Sequence, residues 1–316
     1  MTLALTDFAN HLAITTVSLT PRAALGIPIA LIGSVFLAVG AQLQHRGVVK
    51  VESRGSNGAT SALSISQLLR LLGRPSWVLG SLLLGLAVVF QLTSLYLAPI
   101  TVVQPLGALA LVITALVNSR VSRVKLTRRT LRSILFCIVG VALFVTIATF
   151  TTTSRPISQS QLITVLLLLL AITIVFSLAF ALFRSNFKAI IYIVGAGVLY
   201  GFVATLAKVV IDRIQTIFMN GPSGFEGLTI LCVVALLAAT VLGGYFVQTA
   251  YSSGPPDLVI AGLTVIDPIV AVTIGIVVLN EAANAPWFAY IAFVIAAGLA
   301  IYGVFQLAKY HPQAQH

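Results

Sequence analysis

Long runs of apolar residues, separated by short polar stretches, cover most of this chain. Each run is about 20 residues long, and an α-helix of that length spans the roughly 30 Å hydrocarbon core of a bilayer. The pattern therefore predicts nine membrane-spanning helices. Their ranges are 26–44, 77–97, 101–118, 131–150, 162–183, 189–210, 228–250, 258–279 and 287–307.

The composition supports an all-α polytopic membrane protein. Hydrophobic residues make up 59% of the chain and charged residues 8%, and the mean hydropathy is +1.09. With so much of the length used by the apolar runs, there is no room for a separate soluble domain. We expect a weakly structured segment at 1–25, one integral domain at 26–308 and a short tail at 309–316.

The basic residues indicate how the chain is oriented in the membrane. A formal net charge of +11 would suggest a nucleic-acid partner in a soluble protein, but here most of the 18 Lys and Arg residues lie in loops between apolar runs. In the nine-helix arrangement those loops share one side, while Arg22, Arg155 and Arg213 lie on the other. Basic loops stay in the cytoplasm. We expect N-out and C-in, with the Leu- and Arg-containing segment 61–74 lying along the inner interface.

A weak internal repeat relates the two halves of the chain. The segment Tyr96–Val117 resembles Tyr251–Leu279 in layout: a tyrosine ends one helix, a proline-containing turn follows, and a glycine-containing helix begins. The halves are predicted to be 26–150 and 189–308, joined by the helix at 162–183. Because a single connecting helix crosses the membrane once, the second half is expected to be inverted relative to the first, as in many secondary transporters.

Asp267 lies near the middle of the apolar run 258–279. An acidic residue at the centre of a spanning helix costs about 2.5–3.5 kcal/mol on insertion scales, so such residues usually face a cavity and mark a substrate or ion pathway. The alternative is an acid satisfied by a neighbouring helix or held neutral by desolvation. Pro268 removes a helical hydrogen bond beside it, which favours a site.

Several other polar residues lie within the predicted spans. We expect Gln91, Gln104 and Thr264 to share the pathway with Asp267, although glutamines also act as hydrogen-bonding contacts between helices. For Lys208, one interpretation is a side chain that snorkels to the interface and pairs with Asp212. The other is contact with the substrate or with Asp267.

Backbone features and one further acid complete the candidate positions. Pro105 and Gly107 predict a kink in the third span, and Pro268 predicts another in the eighth. Gly197 and Gly201, spaced as GxxxG, predict a helix-packing surface. Glu281 is expected to be a solvated acid in an outer loop.

The segment Ala98–Ser119, APITVVQPLGALALVITALVNS, resembles the AP-x-x-hydrophobic-x-PLGAL segment of the NIPA-type magnesium transporters. These proteins are a branch of the drug/metabolite transporter superfamily, which also contains the EamA-like proteins. Looser similarities are the spacings of Tyr192, Gly201 and Lys208 and of Pro268 and Glu281. The resemblance covers most of the chain and implies the fold of that superfamily. It departs at Gln91, which is neutral where NIPA-type proteins carry an acid before the AP turn.

Three functions remain open on this basis. The first is a secondary transporter of a small polar solute, coupled to protons through Asp267. The second is a NIPA-like transporter of magnesium or another divalent cation, with Asp267 as the metal ligand. The third is a non-transporting membrane scaffold or lipid-handling protein. The chain has no recognisable catalytic or nucleotide-binding motif, so we expect no enzyme activity and no cofactor.

The predicted partners are a small-molecule or ion substrate and the lipid bilayer. Nucleic acid is not among them, and a homodimer stays an open alternative. The predicted location is the plasma membrane, as a multi-pass protein.

Overall fold

The computed structural model of the protein describes residues 21–52, 73–122, 126–183, 189–221, 226–253 and 256–310. Within these ranges all regular structure is helical. The helices are α1 (Pro21–Glu52), α2 (Pro75–Leu97), α3 (Ile100–Gly107), α4 (Leu109–Ser122), α5 (Arg128–Thr151), α6 (Gln159–Phe183), α7 (Ala189–Asn220), α8 (Glu226–Ser253), α9 (Pro256–Val277) and α10 (Trp287–Tyr310).

The nine predicted spans are confirmed in the described part of the chain. Nine stretches are long and apolar enough to cross a membrane, with α3 and α4 together forming one of them from Ile100 to Val117. Two helices are clearly longer than predicted: α1 runs from Pro21 to Glu52 rather than over 26–44, and α7 continues to Asn220 rather than ending near 210. Of the predicted interfacial segment 61–74, only Gly73 and Arg74 lie within the described residues.

The helices pack in a similar order in both halves. In the first half α1 packs along α2, and in the second half α7 packs along α8 and against α9. Across the halves α5 packs along α10. Glycines allow some of these close approaches: a Cβ added at Gly80 would lie 2.7 Å from the carbonyl oxygen of Gly40. The inverted relation of the halves and the N-out, C-in orientation stay predictions.

The third span is broken near its middle. Pro105 lies inside α3, and α3 ends at Gly107 before α4 begins at Leu109. Because proline has no N–H and its ring crowds the preceding turn, it cannot maintain a regular helical ladder. The predicted kink at Pro105 and Gly107 is therefore present as an interruption, with the backbone N–H of Ala108 donating to the Pro105 carbonyl at 3.2 Å.

The contact between α7 and α9 depends on Gly197 and Gly201. A Cβ at Gly197 would lie 2.6 Å from the Ile266 Cβ, and a Cβ at Gly201 would lie 2.6 Å from the Val270 Cβ and 3.0 Å from the Asp267 carbonyl oxygen. Only hydrogen at these two positions permits the observed approach of the helices. The predicted packing surface is confirmed, and it brings the backbone of Asp267 against α7.

We predict that Gly201→Ala destabilises the protein although alanine is the better helix former. Alanine contributes about 1 kcal/mol of helix propensity, but overpacking a tight contact costs typically 1–3 kcal/mol. Gly85→Ala is the matched control, because no atom lies within 4 Å of a Cβ built there. Thermal unfolding in detergent should rank Gly85→Ala at or above the parent and Gly201→Ala below it. Equal stability of the two variants would contradict this account of the helix contact.

Candidate substrate site

A cavity of about 440 Å³ lies among α1, α2, α3, α7 and α9. Most of its lining is apolar, and the polar side chains come from both halves of the chain. They are Ser34, Gln91 and Gln104 from the first half and Tyr200, Thr264 and Asp267 from the second. A polar site enclosed by spanning helices of both halves is the arrangement expected of a transporter.

Asp267 is the acidic residue of this cavity. Its side chain is partly buried, its Oδ1 atom is fully buried, and no described residue donates a hydrogen bond to that atom. A buried carboxylate oxygen without a donor is unfavourable by itself. The atom is therefore the natural acceptor for a cation, a proton or a donor group of a substrate.

Pro268 adds a backbone oxygen to the same region. A proline cannot donate to the carbonyl four residues earlier in its helix, and in α9 that carbonyl belongs to Thr264. Both residues line the cavity. The Thr264 carbonyl therefore lacks its usual helical donor. The Thr264 hydroxyl, in turn, donates to the Ile260 carbonyl at 2.7 Å. The missing bond leaves the Thr264 carbonyl as a second oxygen acceptor close to Asp267. Helix α9 itself continues through Pro268 to Val277, and the kink predicted at Pro268 stays a prediction.

Gln104 reaches the cavity from the interrupted third span. It is buried on α3, one residue before Pro105. The Ser34 hydroxyl of α1 lies 3.2 Å from the Leu106 carbonyl and 3.0 Å from the Ala30 carbonyl. This contact ties α1 to the broken segment and fixes the wall from which Gln104 reaches the cavity.

The structure brings together most of the predicted pathway residues. Asp267, Gln91, Gln104, Thr264, Gly107 and Pro268 line the one cavity. Pro105 lines a neighbouring apolar cavity of about 270 Å³, of which Ala108, Thr264 and Pro268 form a common wall. Lys208 lines neither, although the preceding residue, Ala207, lines the larger one. Sequence reasoning missed Tyr200 and Ser34, since a single tyrosine or serine in an apolar run does not reveal which face it occupies.

The position of Lys208 differs from the predicted snorkelling arrangement. Its pairing with Asp212 is confirmed, with 3.3 Å between Nζ and Oδ1, but the side chain is only 2% exposed. The ammonium group donates to the carbonyls of Leu95 at 2.6 Å and Ala98 at 3.3 Å, and to the Ser154 hydroxyl at 3.2 Å. Because α7 continues well past residue 210, Lys208 lies inside the bundle rather than at the end of its helix.

The expectation that Glu281 is solvated is wrong. The residue is only 3% exposed. Its carboxylate accepts the backbone N–H of Ile100 at 2.8 Å and of Thr101 at 2.9 Å, and the Thr101 hydroxyl at 2.6 Å. These N–H groups open α3 and have no acceptor within their own helix. Burial raises the pKa of Glu281, while the hydrogen bonds from Thr101 and Ile100 and the charge of Lys208 oppose that rise.

The turn after α9 explains how Glu281 reaches this position. Asn280 adopts a positive φ of 56°, a left-handed conformation that asparagine tolerates better than most residues. The chain then folds back so that the backbone N–H of Glu281 donates to the Gly275 carbonyl at 3.0 Å. An asparagine directly after a long apolar run was the available signal. It indicated a helix end without showing which helix the next side chain would cap.

Comparison with known proteins assigns the family. The sequence model described as "Magnesium transporter NIPA" matches residues 22–311. This chain belongs to that family. It is also 26% identical over 292 residues to an uncharacterized protein of Corynebacterium glutamicum, an alignment that covers 90% of this chain and 95% of the relative. No solved structure gives a significant match.

The donor set of the NIPA-family cavity limits how a metal ion could be held. Among the residues that the structure describes, no three His, Cys, Asp or Glu side chains form a group able to bind a metal. The available ligands include the carboxylate of Asp267, the amide oxygens of Gln91 and Gln104, the hydroxyls of Ser34 and Tyr200, and the Thr264 carbonyl. All of them are oxygens, which suits magnesium or calcium better than zinc or copper.

We predict that Glu281→Gln lowers the stability of the protein. A glutamine side chain has one acceptor oxygen in place of two, so at least one buried donor at the start of α3 would lose its partner. Leaving a buried donor unsatisfied costs about 1–3 kcal/mol. Asn284→Ala is the control in the same loop, because Asn284 is exposed. Unfolding in mixed micelles should separate the two variants, and a Glu281→Gln protein as stable as the control would refute the capping role.

Proposed function

We propose that this protein carries Mg²⁺ across the membrane through the cavity that contains Asp267. The single observation that supports this most strongly is a buried carboxylate oxygen, to which no described residue donates, in a cavity lined by both halves of a NIPA-family chain. Asp267 is the charged ligand in this proposal, and the neutral oxygens of Gln91, Gln104 and Thr264 contact the ion or its waters.

The size of the cavity suits a hydrated ion. Magnesium dehydrates reluctantly, retains several waters and is usually held by one or two carboxylates. Six waters take up roughly 180 Å³ at about 30 Å³ each, and the cavity measures about 440 Å³. A partly or fully hydrated ion therefore fits. One carboxylate is then enough, because the remaining contacts pass through water.

The weak donor set also suits transport. A site with several carboxylates would hold a dication tightly, whereas a conducting or alternating site must release its ion on the other side. Asp267 supplies one charge in a region of low dielectric, where a cation is attracted more strongly than in water. The neutral amide oxygens of Gln91 and Gln104 orient the hydration shell and add no further charge.

Transport in this proposal is driven by an ion gradient or is passive, since the chain carries no recognisable nucleotide-binding motif. The protein is a multi-pass membrane protein, and we place it in the plasma membrane. A homodimer is not required, because both halves of one chain line the cavity.

A second candidate is proton-coupled transport of a small polar solute. It is favoured by the single acid and the largely apolar lining of the cavity. In this case Asp267 alternates between protonated and substrate-bound forms. The two candidates differ in what neutralises the charge of the Asp267 carboxylate. It is a dication in the first and a proton in the second.

We predict that Asp267→Asn abolishes magnesium uptake by purified protein in proteoliposomes that contain a magnesium-sensitive dye. The amide keeps the size of the side chain and removes its charge. Asp267→Glu is the control, because it retains the carboxylate and should retain part of the uptake. Magnesium should raise the melting temperature of the parent and leave that of Asp267→Asn unchanged.

Other outcomes distinguish the remaining functions. If the melting temperature of the parent depends on pH, and this dependence is lost in Asp267→Asn while magnesium has no effect on either protein, proton-coupled transport of a solute is favoured over magnesium transport. If Asp267→Asn leaves the cellular function intact, the protein is a scaffold or lipid-handling protein and the proposal fails.

We predict that Gln91→Glu strengthens magnesium binding and slows release. The substitution adds a second carboxylate to the lining of the cavity, and magnesium is commonly held by two. The expected result is a larger magnesium-induced rise in melting temperature with a lower maximal uptake rate. Gln91→Leu, which removes the polar group, should reduce both the magnesium-induced rise in melting temperature and the maximal uptake rate. If Gln91→Glu has no effect on magnesium binding, Gln91 does not face the ion.

A further inference from the structure

We propose that Lys208 closes one end of the cavity by a reversible contact between α7 and the turn that joins α2 to α3. This inference rests on the proposed transport function, because it assigns the residue that controls access to the same cavity. It concerns conformation rather than ion chemistry, so it can be tested separately.

Lys208 lies beyond the end of the cavity that is next to the turn between α2 and α3. Gly201 lies against the Asp267 backbone, and Lys208 is seven residues further along α7, which is about 10 Å at 1.5 Å per residue. Leu95 and Ala207 are part of the cavity lining. The Leu95 carbonyl accepts a hydrogen bond from Lys208, and Ala207 is its neighbour. The contact therefore covers the end of the cavity at the turn between α2 and α3.

The Lys208 contact joins segments from both halves of the chain. Lys208 belongs to the second half, and the carbonyls of Leu95 and Ala98 belong to the first. Ser154 lies in the connection between α5 and α6 and accepts from the same ammonium group. One buried cation thus holds three separate segments together at this end. Movement of α7 away from α2 requires these bonds to break.

The charge of Lys208 stays balanced when the contact opens. A buried ammonium group needs a nearby negative charge. Asp212 supplies it from the next turn of the same helix, 3.3 Å away. Because both charges lie on α7, movement of α7 away from α2 breaks hydrogen bonds to neutral oxygens at this contact and leaves the ion pair intact. The more distant attraction between Lys208 and the Glu281 carboxylate weakens in the same movement. This arrangement lowers the barrier to opening, in contrast to an ion pair that spans the two halves.

Glu281 provides the comparison that identifies Lys208 as the movable contact. The Glu281 carboxylate binds the first N–H groups of α3 directly, and the helix dipole strengthens such bonds. Separating them would leave a buried carboxylate and unsatisfied N–H groups. The turn after α9 and the start of α3 therefore move as one unit. The weaker contact, through Lys208, is where this end of the bundle separates.

The test measures access to the cavity with a membrane-impermeant cationic thiol reagent. Cys137 and Cys232 are buried and are replaced by alanine, and Ala204→Cys then places a single thiol in the cavity wall. Asn284→Cys, in the exposed loop between α9 and α10, identifies the side of the membrane that this end faces. Reagent added from that side should label Ala204→Cys slowly.

Lys208→Met should increase the labelling rate of Ala204→Cys from that side by roughly tenfold or more, since hydrogen bonds from a charged group are lost. Ser154→Ala removes one acceptor and should give a smaller increase. Arg155→Gln is the matched control, because Arg155 is an exposed cation whose guanidinium donates to Asn284, and it should have no effect. Size-exclusion chromatography identifies any variant that fails to fold, and the milder Ser154→Ala then decides the question.

Two results would overturn the proposal. One is rapid labelling of Ala204→Cys in the background that retains Lys208, which would show that this end is open with the contact in place. The other is an unchanged labelling rate in folded Lys208→Met or, if that variant does not fold, in Ser154→Ala. The same measurements in Asp267→Asn separate the two proposals: if magnesium uptake never depends on Asp267 but Lys208→Met still opens the cavity, the gating role stands and the substrate assignment falls.

Discussion

Polar groups inside a membrane-spanning bundle must find their partners within the protein, because the surrounding lipid offers none. The ends of the interrupted helices and the buried charges in this structure follow that constraint. Glu281 satisfies the first N–H groups of α3, and Lys208 is surrounded by carbonyls, a hydroxyl and the carboxylate of Asp212. Asp267 differs, since no described residue donates to its Oδ1. That difference separates residues that hold the bundle together from the residue to which we assign the substrate in the proposed function.

Close backbone contacts hold Asp267 in the wall of the cavity. Gly197 and Gly201 let α7 approach α9 so closely that added Cβ atoms would overlap Ile266 and Val270. The same helix α7 then carries Tyr200, Val203 and Ala204 along the cavity wall. Two faces of α7 therefore have different roles. The glycines on one face allow close packing against α9, and the residues on the face toward α2 line the cavity.

Membership of a magnesium-transporter family and the small number of acids in this cavity are both compatible with a site for a hydrated ion. A family of magnesium transporters would suggest several acids, but the described part of the chain shows Asp267 among neutral oxygens, with Gln91 on the opposite helix. These facts agree if the ion keeps much of its water, as magnesium usually does. The carboxylate then supplies electrostatic attraction, and the protein does not need to replace the hydration shell. Release is easier from such a site than from a cage of carboxylates.

Much of the architecture could be predicted because helix length and bilayer thickness are fixed by simple geometry. The nine spans, the break at Pro105 and Gly107, and the packing role of Gly197 and Gly201 all follow from local spacing and residue type. Asp267 was also recognisable, since a carboxylate in an apolar run is expensive wherever the helix lies. The convergence of Gln91, Gln104 and Thr264 with it was an expectation that the geometry of the cavity now supports.

The burial of Lys208 and Glu281 was decided only by the tertiary structure. By sequence, both lie near the ends of apolar runs, where charged side chains ordinarily reach water. Apart from Asp212, which is four residues from Lys208, their partners are more than 50 residues away along the chain, at Leu95, Ala98, Ile100, Thr101 and Ser154. No local pattern encodes contacts over such separations. The sequence by itself determined which segments span the membrane and which acid lies deep within them, because hydrophobicity and helical rise act locally. The tertiary structure decided which charges are neutralised and which one faces the cavity, because that depends on how distant helices meet.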